Sequence, residues 1–117
     1  MKREQALAVC RALPGATEDI KWQDQLVFSV GGKMFALASL QAQAQSMSFK
    51  VEQARFLELS DRPGIVPAPY LARAHWVQVQ DLRRLPAAEG EALLRRAWEL
   101  VFAKLTLKAQ AAILAGV

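Results

Sequence analysis

The stretch that decides the fold is Leu26-Val27-Phe28-Ser29-Val30-Gly31-Gly32-Lys33-Met34-Phe35-Ala36-Leu37-Ala38-Ser39-Leu40. Two runs rich in aliphatic and aromatic residues flank a glycine pair, and that arrangement signals a β-hairpin. Glycine suits the turn because it accepts positive φ without a Cβ clash. With a two-residue turn, Val30 faces Lys33, Phe28 faces Phe35 and Leu26 faces Leu37. These share one face of the sheet, the bulkier one, which is expected to meet the core. Val27, Ser29, Met34 and Ala36 then share the other face.

Working outward, Ile20 to Gln23 reads as a short strand before the hairpin, with Ile20 and Trp22 on one side. Before it, Leu7, Cys10 and Leu13 recur at helical spacing in Arg3 to Leu13, and Pro14-Gly15 ends that helix. After the hairpin, Gln41 to Gln45 is a polar loop. Ser46 to Lys50 then alternates, with Met47 and Phe49 inward and Ser48 and Lys50 outward. Glu52 to Leu59 is a short helix, broken at Arg62-Pro63-Gly64. Pro67 and Pro69 hold the next segment extended and irregular. His75 to Val79 is a last strand with Val77 and Val79 inward.

The clearest element is the final long helix. Leu93, Leu94, Ala97, Trp98, Val101, Phe102 and Leu105 form its apolar stripe, and Glu91 sits four residues before Arg95 on the outer side. It continues or restarts through Leu107, Ile113 and Leu114. The pattern predicts an α+β fold: a single antiparallel β-sheet with helices packed on one face, in helix–meander–helix–strand–helix order. The second sheet face carries Val27, Ser29, Met34, Ala36, Ser48, Lys50, Trp76 and Gln78. It is either bare or covered by Leu107 to Val117.

The chain has 117 residues, 53% of them hydrophobic and 22% charged, which fits a single domain over 1–117 with a real core. Cys10 is the only cysteine, so no internal disulfide forms, in keeping with a reducing compartment. No apolar run is long enough to span a bilayer. A cytoplasmic location without membrane attachment is expected. Fifteen Lys and Arg against 11 Asp and Glu give a net charge of +4, which permits attraction to phosphates. The basic residues are scattered along the chain, in clusters of at most two.

Assembled catalytic chemistry is not visible. A lone His75 without a second His or a Cys cluster makes no metal site, and no partner carboxylate lies near it in sequence. Gly31-Gly32 precedes a strand rather than a helix, so it is a hairpin turn and not a phosphate loop. Cys10 on an apolar stripe reads as a small buried hydrophobe. The expectation is a protein without enzymatic activity, cofactor or metal.

Several phrases together resemble the MmcQ/YjbR family. They are Leu13-Pro14-Gly15-Ala16-Thr17-Glu18, Val30-Gly31-Gly32-Lys33-Met34-Phe35-Ala36, Ser48-Phe49-Lys50, Pro63-Gly64-Ile65, Pro67-Ala68-Pro69-Tyr70-Leu71, His75-Trp76-Val77 and Leu100-Val101-Phe102-Ala103-Lys104-Leu105. Their order covers about Leu7 to Leu107. The chain departs at Ala97-Trp98, where the family usually has Ser-Tyr. The resemblance implies a fold similar to frataxin (CyaY-like) and to secretion-chaperone-like domains. It also implies DNA binding through a double-wing arrangement of hairpins.

On that basis the candidate nucleic-acid contacts are Lys33, Lys50, Arg73, His75 and Trp76. Lys33 and Lys50 would meet phosphates as point charges, and weakly sequence-selective binding would follow. Trp76, opposite Val77 and Val79, would offer a face for base stacking unless strand twist or a neighbouring loop buries it. The other reading of His75 is a hydrogen-bonded structural residue at a strand start. The alternative function is a protein-interaction module, a homodimer or a foreign complex, using the second sheet face.

Overall fold

The computed structural model describes residues 1–116. Among them are α1 (Arg3–Ala12), β1 (Ala16–Lys21), β2 (Gln25–Val30), β3 (Lys33–Ser39), β4 (Met47–Lys50), α2 (Gln53–Ser60), β5 (Ile65–Pro67), β6 (Trp76–Val79), α3 (Ala87–Phe102) and α4 (Leu107–Leu114). Short 3-10 turns occupy Ala72–Ala74 and Leu82–Arg84. The strands form one antiparallel sheet in the order β1-β2-β3-β4-β6-β5. This is the α+β architecture the periodicity predicts.

The core lies between the sheet and the helices. Leu7, Cys10 and Leu13 from the first helical segment meet Leu93, Leu94, Ala97, Trp98 and Val101 of α3 over Phe28, Val30, Met47, Phe49, Val77 and Val79. Each fully buried large side chain among these contributes about 1.5–3 kcal/mol of hydrophobic stabilisation. The indole N–H of Trp98 donates to the Pro14 carbonyl at 2.9 Å, and its ring stacks on Phe102 at 4.6 Å between centroids. That bond ties α3 to the end of the first helical segment. A hydrophobic residue could fill this place, but Trp also satisfies a carbonyl there.

The hairpin has the expected two-residue turn but a less regular ladder than simple pairing predicts. Gly31 and Gly32 have φ of +58° and +79°, as the turn requires. Val30 faces Lys33 and Ser29 faces Met34, but Phe28 then faces Ala36, and a β-bulge leaves Phe35 unpaired. Both Phe35 and Ala36 are fully buried in the core, and the Phe28 and Phe35 rings lie 6.4 Å apart. The extra residue flips the remainder of β3. Leu37, expected on the core side, faces Val27 on the second face, while Ala36 moves to the core.

Three other boundaries differ from the sequence pattern. β1 starts at Ala16, and Trp22 and Gln23 form a turn with φ of +52° and +71°. β5 adds a strand outside β6, pairing Ile65 with Val79 and Pro67 with Val77. The last helix restarts as α4 at Thr106, whose hydroxyl accepts from the Ala109 N–H at 3.1 Å. Gln110 folds back to donate to the carbonyls of Phe102, Ala103 and Leu105, closing the end of α3.

α4 therefore turns onto the end of the sheet. Ile113 packs against Gly15, and Leu105, just before α4, packs against Gly31. The segment from Ala68 to His75 covers only the β6 side of the second sheet face. The Ala68 N–H donates to the Trp76 carbonyl, and the Trp76 N–H donates to the Leu71 carbonyl.

Candidate functional site

Antiparallel pairing brings particular strand ends together. The start of β3, the end of β4 and the start of β6 share one end of the sheet, since Val30 faces Lys33 and Lys50 faces Trp76. Lys33 is exposed at the hairpin turn, and Arg73 is exposed on the 3-10 turn just before β6. Lys104 and Lys108 arrive at the same end with Leu105 and α4, through the Leu105–Gly31 contact.

Lys50 donates to the Ala74 carbonyl at 2.7 Å. Burial, and then the neighbouring Lys104 charge, hold its ammonium below the usual lysine pKa. Among the described residues, Lys33, Lys50, Arg73, Lys104 and Lys108 form no ion pair with a carboxylate. Glu52 and Glu99, the nearest acidic residues in sequence to Lys50 and Lys104, are both held by Arg96. The arginines elsewhere are mostly paired: Arg11 with Glu18, Arg62 with Glu58 and Glu89, Arg83 with Asp81.

The sequence carried a signal for this convergence. No Asp or Glu occurs from Gln25 to Val51, from Arg62 to Gln80, or from Leu100 to Val117. Those three stretches supply β2 to β6 and α4. Cations that look scattered along the chain thus stand on elements that contain no Asp or Glu of their own.

A second feature lies on the other sheet face. A cleft of about 590 Å³ has Met34, Leu37, Ser48 and Gln78 as its floor. Trp22 and Gln25 close one side, and the Pro69–Leu71 segment closes the other. Trp22 is 62% exposed and Tyr70 is fully exposed. The cleft reaches the lysine-bearing end, because Met34 follows Lys33 and Leu71 lies two residues before Arg73.

The five residues marked from sequence have different fates. Lys33 and Arg73 are exposed, and Lys50 lies near both but is engaged with a carbonyl. His75 caps the 3-10 turn with φ of +62°, and its ring meets Phe56 edge-on at 5.6 Å. Its carbonyl accepts from the Val51 N–H, which joins β4 to the loop. Trp76 is on the second face, as its alternation with Val77 implies, but only 4% exposed beneath the covering loop. An open indole face for stacking is therefore absent at Trp76. Trp22 and Tyr70 are the aromatic residues that stand open, and neither is among those five. Cys10 is buried, and burial pushes its thiol up to about 12, so it is no nucleophile. Among the described residues no cluster of three His, Cys, Asp or Glu could hold a metal ion.

The YjbR family model matches residues 11–100. A crystal structure from Deinococcus radiodurans, of a protein with the DUF419 family-model domain, has a TM-score of 0.81 and 32% identity, covering 91% of this chain and 83% of that one. A crystal structure of a protein from Pseudomonas syringae has a TM-score of 0.70 and 25% identity, covering 86% of this chain and 99% of that one. No curated protein sequence matches the chain. The ordered motifs, the helix-backed six-stranded sheet and the match across most of its length agree: the chain belongs to the YjbR family.

Proposed function

We propose that the domain is a non-enzymatic nucleic-acid-binding protein, taking DNA as its ligand through phosphate contacts at the lysine-bearing end of the sheet. The observation that carries this reading is that Lys33, Lys50, Arg73, Lys104 and Lys108 lie toward one end of the sheet and, among the described residues, pair with no carboxylate. Cations not neutralised by a carboxylate release counterions when they meet a polyphosphate, and this contact carries little sequence information. Burial is the larger cause of the lowered Lys50 pKa and Lys104 the smaller, and an approaching anion would offset the Lys104 repulsion. No helix among the described residues is long and apolar enough to cross a membrane, and an unpaired cysteine suits a cytoplasmic setting.

The test is fluorescence anisotropy of a labelled DNA duplex and a labelled single strand, each titrated at two salt concentrations. Binding is expected to weaken steeply with salt. A Lys33→Ala, Lys104→Ala double variant is expected to lower affinity and reduce the logarithmic salt slope by roughly two. No binding at low salt sinks the reading. The function then passes to a protein-interaction module, for which the exposed Trp22 and Tyr70 at the cleft are the specific support.

A further inference from the structure

We propose that the cleft on the second sheet face is a binding pocket for a neutral, planar heteroaromatic ring of nucleobase type. This assignment rests on the cleft and stands without the phosphate-binding reading. If that reading holds, the ring is an unpaired base of a bound single strand.

Three observations converge. The first is size and charge. The cleft, about 590 Å³, falls in the range of small-molecule sites, and no charged side chain lines it. Burying a charged group against Met34, Leu37 and Pro69 would be costly, so the occupant is neutral.

The second is the polar complement. Gln78 and Ser48 face the cleft without a side-chain hydrogen bond among the described residues, and Gln25 uses one amide hydrogen on Asp24. A carboxamide presents a donor beside an acceptor, which matches the mixed edge of a nucleobase. A purely hydrocarbon occupant would leave these groups unsatisfied.

The third is the backbone. Trp22 and Tyr70 both have positive φ, +52° and +66°, a conformation that bulky L-residues rarely adopt. In each case the left-handed backbone carries a large aromatic ring that remains exposed at the cleft rather than packed in the core. Glycine would fit both turns with less strain and would leave the cleft without aromatic walls. Exposed aromatic residues at the cleft, free to close over a neutral floor, suit a flat ring, because every base has a π-face to stack.

The experiment has two arms on the full chain. In the first, the four free ribonucleosides are titrated while tryptophan fluorescence is read, with Trp22→Phe identifying the responding indole. In the second, an oligothymidylate and an abasic backbone of equal length compete at fixed salt. A phosphate-only site cannot distinguish these strands, whereas a base pocket is expected to favour the base-bearing one by about fivefold or more. Tyr70→Gly is expected to keep or raise the thermal midpoint while weakening the ring signal. A merely structural Tyr70 would give the opposite pattern.

Quenching by a nucleoside, or preference for the base-bearing strand, supports the pocket if Tyr70→Gly removes it. The two arms then separate a free ring from a strand-borne one. No quenching by any nucleoside together with equal affinity for both strands overturns it. So does a signal that Tyr70→Gly leaves intact. Failure of the phosphate reading is distinguished by its own signature, insensitivity to the lysine substitutions.

Discussion

Leu105 lies directly against Gly31: a Cβ added to the glycine would sit 2.6 Å from the leucine Cδ1. The hairpin turn therefore meets the α3–α4 junction and is not a free wing. Gly31→Ala would force Leu105 to rotate or the turn to lift, on top of the penalty for a side chain at φ of +58°. Gly32 has φ of +79° and open space around it, so Gly32→Ala incurs only the backbone term. The expected loss is about 2–4 kcal/mol for Gly31→Ala and about 1–2 kcal/mol for Gly32→Ala. Urea denaturation of the two variants checks the order. A Gly31→Ala, Leu105→Ala double variant should show coupling, since the second change removes the clash created by the first.

Cys10 predicts both a reactivity and a pH response. Burial raises its pKa from the ordinary 9.0 to about 12, so the native thiol is expected to resist alkylation until the chain unfolds. The sign for stability follows from proton release. The unfolded thiol ionises above 9.0 while the folded one stays protonated, so this contribution is intact below pH 9.0 and is lost as pH rises toward 12. Denaturation midpoints measured one unit below and one unit above pH 9.0 should fall more in the wild type than in Cys10→Ala. The other groups that titrate there are common to both proteins.

Lys104 lies close enough to Lys50 at the sheet end for its charge to bear on the Lys50 ammonium. Burial is the larger cause of the lowered Lys50 pKa and Lys104 the smaller, so Lys104→Ala should raise it part of the way toward the ordinary value. Nitrogen-detected NMR titration of the lysine ammonium groups reads this directly. An anion bound at this end should also raise the Lys50 pKa, giving proton uptake on binding at alkaline pH.

The elements with strong periodicity were legible before the structure. Alternation placed Met47, Phe49, Val77 and Val79 inward, and the spacing of Leu93 to Val101 placed the stripe of α3. What failed was set by partners rather than by local sequence. The bulge at Phe35 has no glycine or proline to announce it, and it follows from both Phe35 and Ala36 joining the core. Thr17, Glu18 and Asp19 look like a loop because β1 is an edge strand with mostly exposed side chains. β5 is three residues long and ends in proline, too short to leave a pattern.

The site was legible in the same uneven way. Alternation with Val77 gave the face of Trp76, but only the path of the Ala68–His75 loop decides that the indole is buried. Trp22 and Tyr70 were invisible as a pair, because β1 and the loop after β5 meet only through the folded sheet.

The two outermost strands limit how this protein can associate. β1 exposes Thr17, Glu18, Asp19 and Ile20 at one rim, and β5 offers three residues ending in Pro67 at the other. A charged rim and a short proline-terminated one are poor templates for main-chain pairing with another chain. Extension of the sheet into a continuous intermolecular ribbon is thereby discouraged at both borders. Association of two copies is expected through side-chain surfaces rather than through the backbone ladder.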